Sequence, residues 1–370
     1  MPLNILDITA FFVFAFLCIR FFVVMLNLWQ DPRLRKASKP FHGKISVLIP
    51  ARNEIENLPV TLLAWKALSP QIYEVLVLDD HSDDGTGALV LKMQQDFPKL
   101  KLLQGTDLPK GWLGKNFACH QLAAQATGDF FLFADADVKP QKGLIEATTH
   151  QLAVKHLGLL SIFPDQELVT KGEKVAVPIM HYLLLTLLPL FLIHRFKFPS
   201  LAAANGQFML FDAKIYRKYQ WHKIVKNKVA EDIQTVREMK MRGERAATFL
   251  GGGLIWCRMY TSYPDAVGGF SKNFLAGFGN IFGVLFYLFI LIFGWVIVGL
   301  FQPVLLAPAV FIILLTNFGL AQLSNQSFLM LLWTHPLRIF ATLQIAVSSI
   351  IRKLKKENQW KGRNVDLSSQ

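Results

Sequence analysis

Four acidic clusters occur in order along one stretch of the chain. They are Asp79-Asp80, the run Asp83-Asp84-Gly85-Thr86, Asp135-Ala136-Asp137 and Glu231-Asp232. The first three end or directly follow apolar runs that read as buried strands. Carboxylates are hard oxygen ligands, the type that holds Mg²⁺ or Mn²⁺ beside phosphates. Clusters placed at strand ends therefore suggest chemistry on a phosphorylated ligand.

Each cluster carries its own argument. Ser46–Glu54, SVLIPARNE, reads as a strand followed by a polar turn. Such a turn can set backbone N–H groups, Pro50, Arg52 and Glu54 around a nucleotide, or it can be an ordinary connection to a helix. VLVLDDHSDDGT is more specific, because a strand delivers two carboxylates to its end before a Ser/Asp/Gly/Thr turn starts a helix. Asp83 or Asp84 could serve only as an N-cap; a pair at the strand terminus, Asp79 and Asp80, is more than capping needs. In Asp135-Ala136-Asp137, alternation puts both carboxylates on one side of an extended chain. Beside a diphosphate they would bind Mg²⁺ or Mn²⁺, which would stabilise charge on the departing group. Glu231-Asp232 opens a helical run, Ile233–Arg242. It either complements the helix N-terminus or supplies a general base for a hydroxyl attacking an anomeric carbon.

The elements that must position these groups alternate in type. Strands are expected at Ile45–Ile49, Glu74–Leu78, Lys101–Leu103 and Phe130–Ala134. Helices are expected at Leu58–Leu68, Gly85–Phe97 and Asn116–Ala126. This order predicts an α/β fold, a mostly parallel sheet with helices on both faces. In such sheets ligands sit at the carboxyl ends of the strands, where the acidic residues lie.

The 370 residues are 52% hydrophobic and carry a formal net charge of +13. Mean hydropathy is positive, which speaks against an ordinary soluble domain. The basic balance suits anionic lipid head groups or a phosphorylated substrate. No motif of a nucleic-acid-binding protein accompanies it. Three scattered cysteines, Cys18, Cys119 and Cys257, form neither a metal spacing nor a disulfide framework, as expected in a reducing compartment.

Residues 8–29 are apolar and long enough to cross a bilayer, interrupted by Arg20. Arg33, Arg35, Lys36 and Lys39 follow it, so the positive-inside rule places residue 31 onward in the cytoplasm. The expected organisation is an N-terminal anchor over 1–30, a cytoplasmic domain over 31–270, membrane helices over 271–351 and a basic cytoplasmic tail over 352–370, at the inner (plasma) membrane. Within the domain, 178–194 reads as a helix lying in the interface. A crossing there would set Asp137 and Asp232 on opposite sides. Phe274–Ala321 suits a hairpin of two spans, and Phe328–Ile351 an interfacial segment.

SVLIPARNE, VLDDHSDDGT, FADADV and AED, taken in order over about residues 45–245, resemble the motifs of inverting family-2 glycosyltransferases with a GT-A fold. That resemblance implies roles. Asp80 and Glu54 would contact uridine, Asp135 ribose or diphosphate, and Asp137 would hold the metal. Asp232 would be the catalytic base. Lys115, in Gly111–Lys115, is similar to a donor-side segment of membrane-bound members, and Asn205, Gly206 and Gln207 to their acceptor-side segment, with Glu231 beside it. The Gln-x-x-Arg-Trp motif of many relatives is missing. Trp256–Tyr260, Gly269–Asn273 and Trp360–Arg363 stand instead, and they resemble the subgroup that glycosylates carotenoids and similar lipids. There Arg258 would neutralise the leaving diphosphate or touch a lipid head group. Trp360 and Arg363 would serve the acceptor side or anchor the chain in the interface.

The expectation is a membrane-bound, metal-dependent, inverting transferase that takes UDP-glucose or a close relative as donor. The acceptor would be a lipid hydroxyl or carboxyl. A polysaccharide synthase of the same fold would want more spans and Gln-x-x-Arg-Trp. A scaffold with a degenerate domain would not need Asp137 and Asp232. A nucleotidyltransferase would not need Glu231-Asp232 followed by a basic-aromatic segment.

Overall fold

The computed structural model describes residues 4–37 and 43–355, and the backbone of 359–360 and 363–364. Lys39, Lys356, Lys361 and Gly362 of the sequence reading lie outside the described residues. The strands in chain order are β1 (Ile45–Ala51), β2 (Glu74–Asp79), β3 (Leu100–Gln104), β4 (Phe130–Ala134), β5 (Val138–Pro140), β6 (Leu159–Phe163), β7 (Asp165–Gln166), β8 (Phe208–Asp212), β9 (Ala246–Leu250), β10 (Ile255–Cys257), β11 (Gln359–Trp360) and β12 (Arg363–Asn364).

The chain forms two compact units, and each is discontinuous. The sheet unit takes Arg33–Glu167 and Phe191–Arg258; the helical unit takes the chain up to Pro32, Leu168–Leu190 and Met259–Lys355. The chain leaves the sheet unit after Glu167 and rejoins it at Phe191.

In the sheet unit, seven strands lie in the order β3-β2-β1-β4-β8-β6-β9. The pairs β1·β2, β2·β3, β1·β4 and β6·β9 are parallel, while β8 is antiparallel to both β4 and β6. β1 (ISVLIPA) and β2 (EVLVLD) are buried almost throughout. Central parallel strands are covered on both faces, so they read as unbroken apolar runs. Helices Leu58–Ala67, Thr86–Gln94, Gly114–Gln125 and Leu144–Val154 connect and cover the strands. The reversal at β8 matters most for the site. Ala134 at the end of β4 pairs with Phe208 at the start of β8. The turn before β8 is thereby laid beside the turn after β4. A second sheet, β5-β10-β7, starts just beyond the Asp135–Asp137 turn.

Among the described residues of the helical unit, three helices are long and apolar enough to cross a membrane: Ile5–Gln30, Ile281–Phe301 and Pro303–Ser324. The region expected as one helix over 178–194 is two, Ile179–Leu187 and Phe191–Arg195. Pro189 falls in the break. The carbonyls freed there are met by the first helix, where Asn27 Nδ2 donates to Leu185 O and Leu188 O, both at 3.0 Å, and Asn27 Oδ1 accepts from Leu190 N–H at 2.8 Å. The last long helix, His335–Lys355, buries Ala341, Thr342, Ile345, Ala346 and Ser349 on one stripe. Leu337, Phe340, Val347, Ile351 and Leu354 remain exposed on it.

Candidate active site

The turns after β1 and β2 are stitched to each other. Asn53, in a left-handed conformation at φ 54°, accepts the Asp83 N–H at 3.1 Å through its side chain, and its own N–H donates to Ser82 Oγ at 3.0 Å. Glu54 N–H donates to Thr86 Oγ1 at 2.9 Å, and Ile55 N–H to Asp84 Oδ2 at 3.0 Å. Burial opposes the Asp84 charge, but hydrogen bonds from Thr86 and Ile55 outweigh it and hold its pKa below the usual range. Asp84 thus ties two loops together and is more than a helix cap.

Asp79 and Asp80 separate in role. Asp79 Oδ1 accepts the Ser82 N–H at 2.9 Å. A Cβ on Gly87 would fall 2.6 Å from Asp79 Oδ2, so only a glycine lets the following helix close over this carboxylate. Asp79 builds the turn. Asp80, also buried, keeps its carboxylate at the strand end, 3.3 Å from His81 Nδ1, while its carbonyl accepts from Arg52 Nη1 at 2.6 Å. Pro50 is paired in register with Leu78 and lies beyond the last β1·β4 pair, Leu48–Phe133.

The turn after β4 brings the remaining groups together. Lys115, in the first turn of Gly114–Gln125, places Nζ 2.8 Å from Asp135 Oδ1 and 3.3 Å from Glu231 Oε1. Burial works against this ammonium, yet the two carboxylates hold its pKa well above the ordinary lysine value. Asp137 Oδ1 is buried without a hydrogen-bond partner among the described residues. Burial, and then the charge of Asp135, push Asp137 up to about 7, and Glu54 adds to the effect. The Cys257 thiol hydrogen-bonds Asp137, and burial with the Asp137 charge keeps that thiol protonated. Cys257 pairs with Val138 across β10·β5, the last pair of that ladder, so Arg258 and Asp137 are the residues next beyond it on the two strands.

A buried carboxylate oxygen without a donor, among further carboxylates, suits a divalent cation, because burial of an unpaired charge is costly. Among the described residues no group of three or more His, Cys, Asp or Glu could hold a metal ion. Asp137 and Asp135 thus offer a partial shell, one that fits a cation whose other ligands are phosphates.

The Asn205-Gly206-Gln207 turn, laid alongside by β8, completes the cluster. Gln207 O accepts the Asp135 N–H at 3.2 Å. Gln207 Nε2 donates to Cys257 Sγ at 2.8 Å, and Asn205 Nδ2 to Gln207 Oε1 at 3.0 Å. Gly206 N–H donates to Asp232 Oδ2 at 3.0 Å. A Cβ on Gly206 would stand 3.0 Å from Glu231 Oε1 and 3.1 Å from Lys115 Nζ. Burial, then the Glu231 charge, raise Asp232 to about 7.

Glu54, Asp80, Lys115, Asp135, Asp137, Gly206, Gln207, Glu231, Asp232 and Arg258 all belong to the sheet unit. Trp360 and Arg363 pair with each other through their backbones in β11·β12. Two positioning residues were not singled out from the sequence. Asn116 Nδ2 donates to the carbonyls of Val225, Lys226 and Lys228 at 2.9–3.2 Å, docking the loop that leads to Glu231. Ser161 Oγ accepts the Asn205 N–H at 2.8 Å and fixes the other turn. Asn116 directly follows Lys115, a buried amide at a helix start, and that is the one signal it offers.

Residues 46–219 match the family model described as glycosyl transferase family 2. The chain is 26% identical over 242 residues to the 4,4'-diaponeurosporenoate glycosyltransferase of Staphylococcus haemolyticus, covering 63% of this chain and 61% of that protein. It is 31% identical over 128 residues to the beta-monoglucosyldiacylglycerol synthase of a Synechocystis strain, covering 34% of this chain and 26% of that protein. The chain therefore spans less than two thirds of the length of these relatives. Among solved structures, it is similar to the mannosyltransferase PcManGT from Pyrobaculum calidifontis in complex with GDP-Man and Mn²⁺, with a TM-score of 0.54 and 17% identity over 95% of this chain and 100% of that one.

Proposed function

We propose that this chain, which carries a glycosyltransferase family 2 domain on a GT-A-like sheet, is a membrane-bound, metal-dependent, inverting glycosyltransferase. Its donor is UDP-glucose or a closely related nucleotide sugar, and its acceptor is a lipid, in the first instance a hydroxylated or carboxylated carotenoid or other isoprenoid. One observation carries this reading: Lys115 bridges Asp135 and Glu231, and Gly206 fixes Asp232 beside them. Donor-side and acceptor-side groups thus converge on one point. The names of the two curated relatives, a carotenoid acid and a diacylglycerol glycolipid, both support a lipid acceptor.

In the mechanism, Glu54 and Asp80 hold the nucleoside at the ends of β1 and β2. Asp137, with Asp135 beside it, would hold Mg²⁺ or Mn²⁺, which would supply charge stabilisation for the departing diphosphate. Arg258, which like Asp137 lies next beyond the β10·β5 ladder, and Lys115 add positive charge for the departing group. Asp232 takes the proton of an acceptor hydroxyl as its oxygen bonds to the anomeric carbon and the bond to the diphosphate breaks. A single base and a direct displacement invert the anomeric centre. A pKa near 7 suits a base working near neutrality. A carboxyl acceptor is already ionised at that pH and needs no base, so Asp232 matters most for hydroxyl acceptors.

The helices suit an arrangement in which Ile5–Gln30, Ile281–Phe301 and Pro303–Ser324 cross the membrane. Arg33, Arg35 and Lys36 would then share the cytoplasmic side with Arg352, Lys353 and Lys355. His335–Lys355 would lie along the interface, its exposed apolar residues in lipid, and residues 178–194 would stay on the cytoplasmic face. Single cysteines at Lys174 and Lys197, in a background without native cysteines, should label only once the inner face is opened. Labelling of either from outside intact cells would refute the arrangement.

The experiment for the function itself is incubation of the purified chain and a total lipid extract with a panel of radiolabelled nucleotide sugars. Label from a UDP-hexose should pass to the lipid phase and vanish with chelator. Label passing instead to an aqueous polymer would favour a polysaccharide synthase.

A further inference from the structure

The helical unit contains a cavity lined by Arg20, Tyr182, Tyr287, His335 and apolar side chains that include Trp295 and Ala309. Its walls come largely from the three helices apolar enough to cross a membrane. Arg20 is 6% exposed and Arg338 3%. Arg20 donates from Nη2 and Nε to Thr186 Oγ1 at 2.9 and 3.3 Å. Its guanidinium lies 4.7 Å from the Tyr182 ring centre and 5.6 Å from that of Tyr287. The Arg338 guanidinium lies 5.2 Å from the same Tyr182 ring.

Arg338 Nη2 donates to Asn317 Oδ1 and Leu331 O and stands 3.4 Å from His335 Nδ1, a wall residue of the cavity. Arg338 Nε and Nη1 are buried without a hydrogen-bond partner among the described residues. Among the described residues, the partners of the two guanidiniums are therefore the Thr186, Tyr182 and Tyr287 hydroxyls, an amide oxygen, a backbone carbonyl, an imidazole and ring faces. None of these carries a negative charge. Cation–π contact offsets part of the burial cost, but two like charges around one ring remain uncompensated. Buried charge in a helical membrane unit is costly and is a mark of a ligand or a partner ion. An anion alone would find charge here but an apolar wall. An amphiphile satisfies both.

We propose that this cavity binds the acidic head group of an amphiphile, a phosphate or a carboxylate, against Arg20 and Arg338, with its hydrocarbon chain along the apolar wall. Arg20 and the Tyr182 and Tyr287 hydroxyls face the head group. Arg338, behind His335, adds the second positive charge. The site lies wholly in the helical unit and stands independently of the transfer reaction.

The test uses the full chain purified in a nonionic detergent, with lipid binding read by native mass spectrometry and by the thermal midpoint. Dioleoyl phosphatidylglycerol, dioleoyl phosphatidylcholine, oleate and inorganic phosphate are the probes. Phosphatidylglycerol, oleate or both should bind and raise the midpoint, which assigns the head group as phosphate or carboxylate. Phosphatidylcholine carries the same phosphate beside a quaternary ammonium that the two arginines would repel, so it should bind about tenfold or more weakly. Inorganic phosphate alone should not reproduce the shift. Arg20→Gln and Arg338→Gln should each erase the preference for the acidic lipid. Ala309→Phe keeps both charges and should weaken binding of the acidic lipid by filling the wall. Equal binding of phosphatidylglycerol, oleate and phosphatidylcholine by the unaltered chain would overturn the proposal, whether or not the variants fold. So would a preference that survives in Arg20→Gln.

Discussion

The backbone N–H of Gly206 donates to the Asp232 carboxylate at 3.0 Å. The bond joins the turn before the one reversed strand of the sheet to the first turn of the helix Glu231–Met241. Because β8 runs against β4, the same turn also contacts the Asp135–Asp137 segment through Gln207 O. One reversed strand therefore brings the Gly206-Gln207 turn against both the Asp232 carboxylate and the backbone of Asp135. Glycine is the residue this position tolerates, since even a methyl group would press on both Lys115 and Glu231.

Gly206→Ala follows from that geometry. The added carbon would stand 3.0 Å from Glu231 Oε1 and 3.1 Å from Lys115 Nζ. Both are ends of flexible side chains and can give way, so the fold should survive with a thermal midpoint near that of the unaltered chain. Transfer should fall about tenfold or more, because the bridge between Asp135 and Glu231 would be displaced; a displacement of about 1 Å in a site of this kind can cost on the order of 10² in rate. Paired measurements of thermal midpoint and kcat would check this. Unchanged kcat would separate Gly206 from the reaction.

The proposed metal dependence rests on Asp137. Asp137→Ala should abolish turnover and lower the thermal midpoint by no more than a few degrees, because the carboxylate's Cys257 contact is lost while Oδ1 has no hydrogen-bond partner among the described residues. Chelator should silence the unaltered chain, and Mg²⁺ or Mn²⁺ should restore it. Full activity in chelator would remove the metal from the account.

How much of this was legible beforehand depends on strand type. β1, β2 and β4 announce themselves, because parallel strands covered on both faces are continuous apolar runs, and each ends on a polar or acidic turn. The second half of the sheet does not. Leu159–Phe163, Phe208–Asp212 and Ala246–Leu250 are five residues each, with nothing in their composition to say that β8 is reversed. The contact of Lys115 with Glu231 links segments far apart in sequence and has no periodicity to betray it. The break at Leu188–Leu190 was also hidden. Pro189 hinted at it, but what stabilises it is the Asn27 side chain of a distant helix.

The pH dependence has a definite sign. Asp232 stands near pKa 7 against an ordinary value of 3.8, raised by burial and by the Glu231 charge. The base acts when ionised, so hydroxyl transfer should rise with pH through about 7. For stability the same shift works the other way. The folded chain holds this proton more tightly than the unfolded one, so the contribution is complete below about 3.8 and is lost as pH rises through about 7. Asp137, pushed up to about 7 as well, must lose its proton to bind metal. Its part of the acid limb should move to lower pH as metal is increased, and the part due to Asp232 should stay. Rate profiles at limiting and saturating metal would separate them. A profile flat from pH 5 to 8 at both would contradict both assignments.

The most direct measurement compares the unaltered chain with Asp232→Asn, using one nucleotide sugar and a hydroxylated lipid. Donor binding is titrated in parallel with label transfer to the lipid phase. Asparagine keeps the shape and can still accept from Gly206, but it cannot take a proton. The account predicts donor affinity within about twofold and kcat lower by on the order of 10² or more, the usual cost of losing a general base. It predicts a much smaller loss with a carboxylated lipid, which brings no proton to remove. Unchanged kcat with the hydroxylated lipid, or a loss of donor affinity as large as the loss of rate, would contradict it.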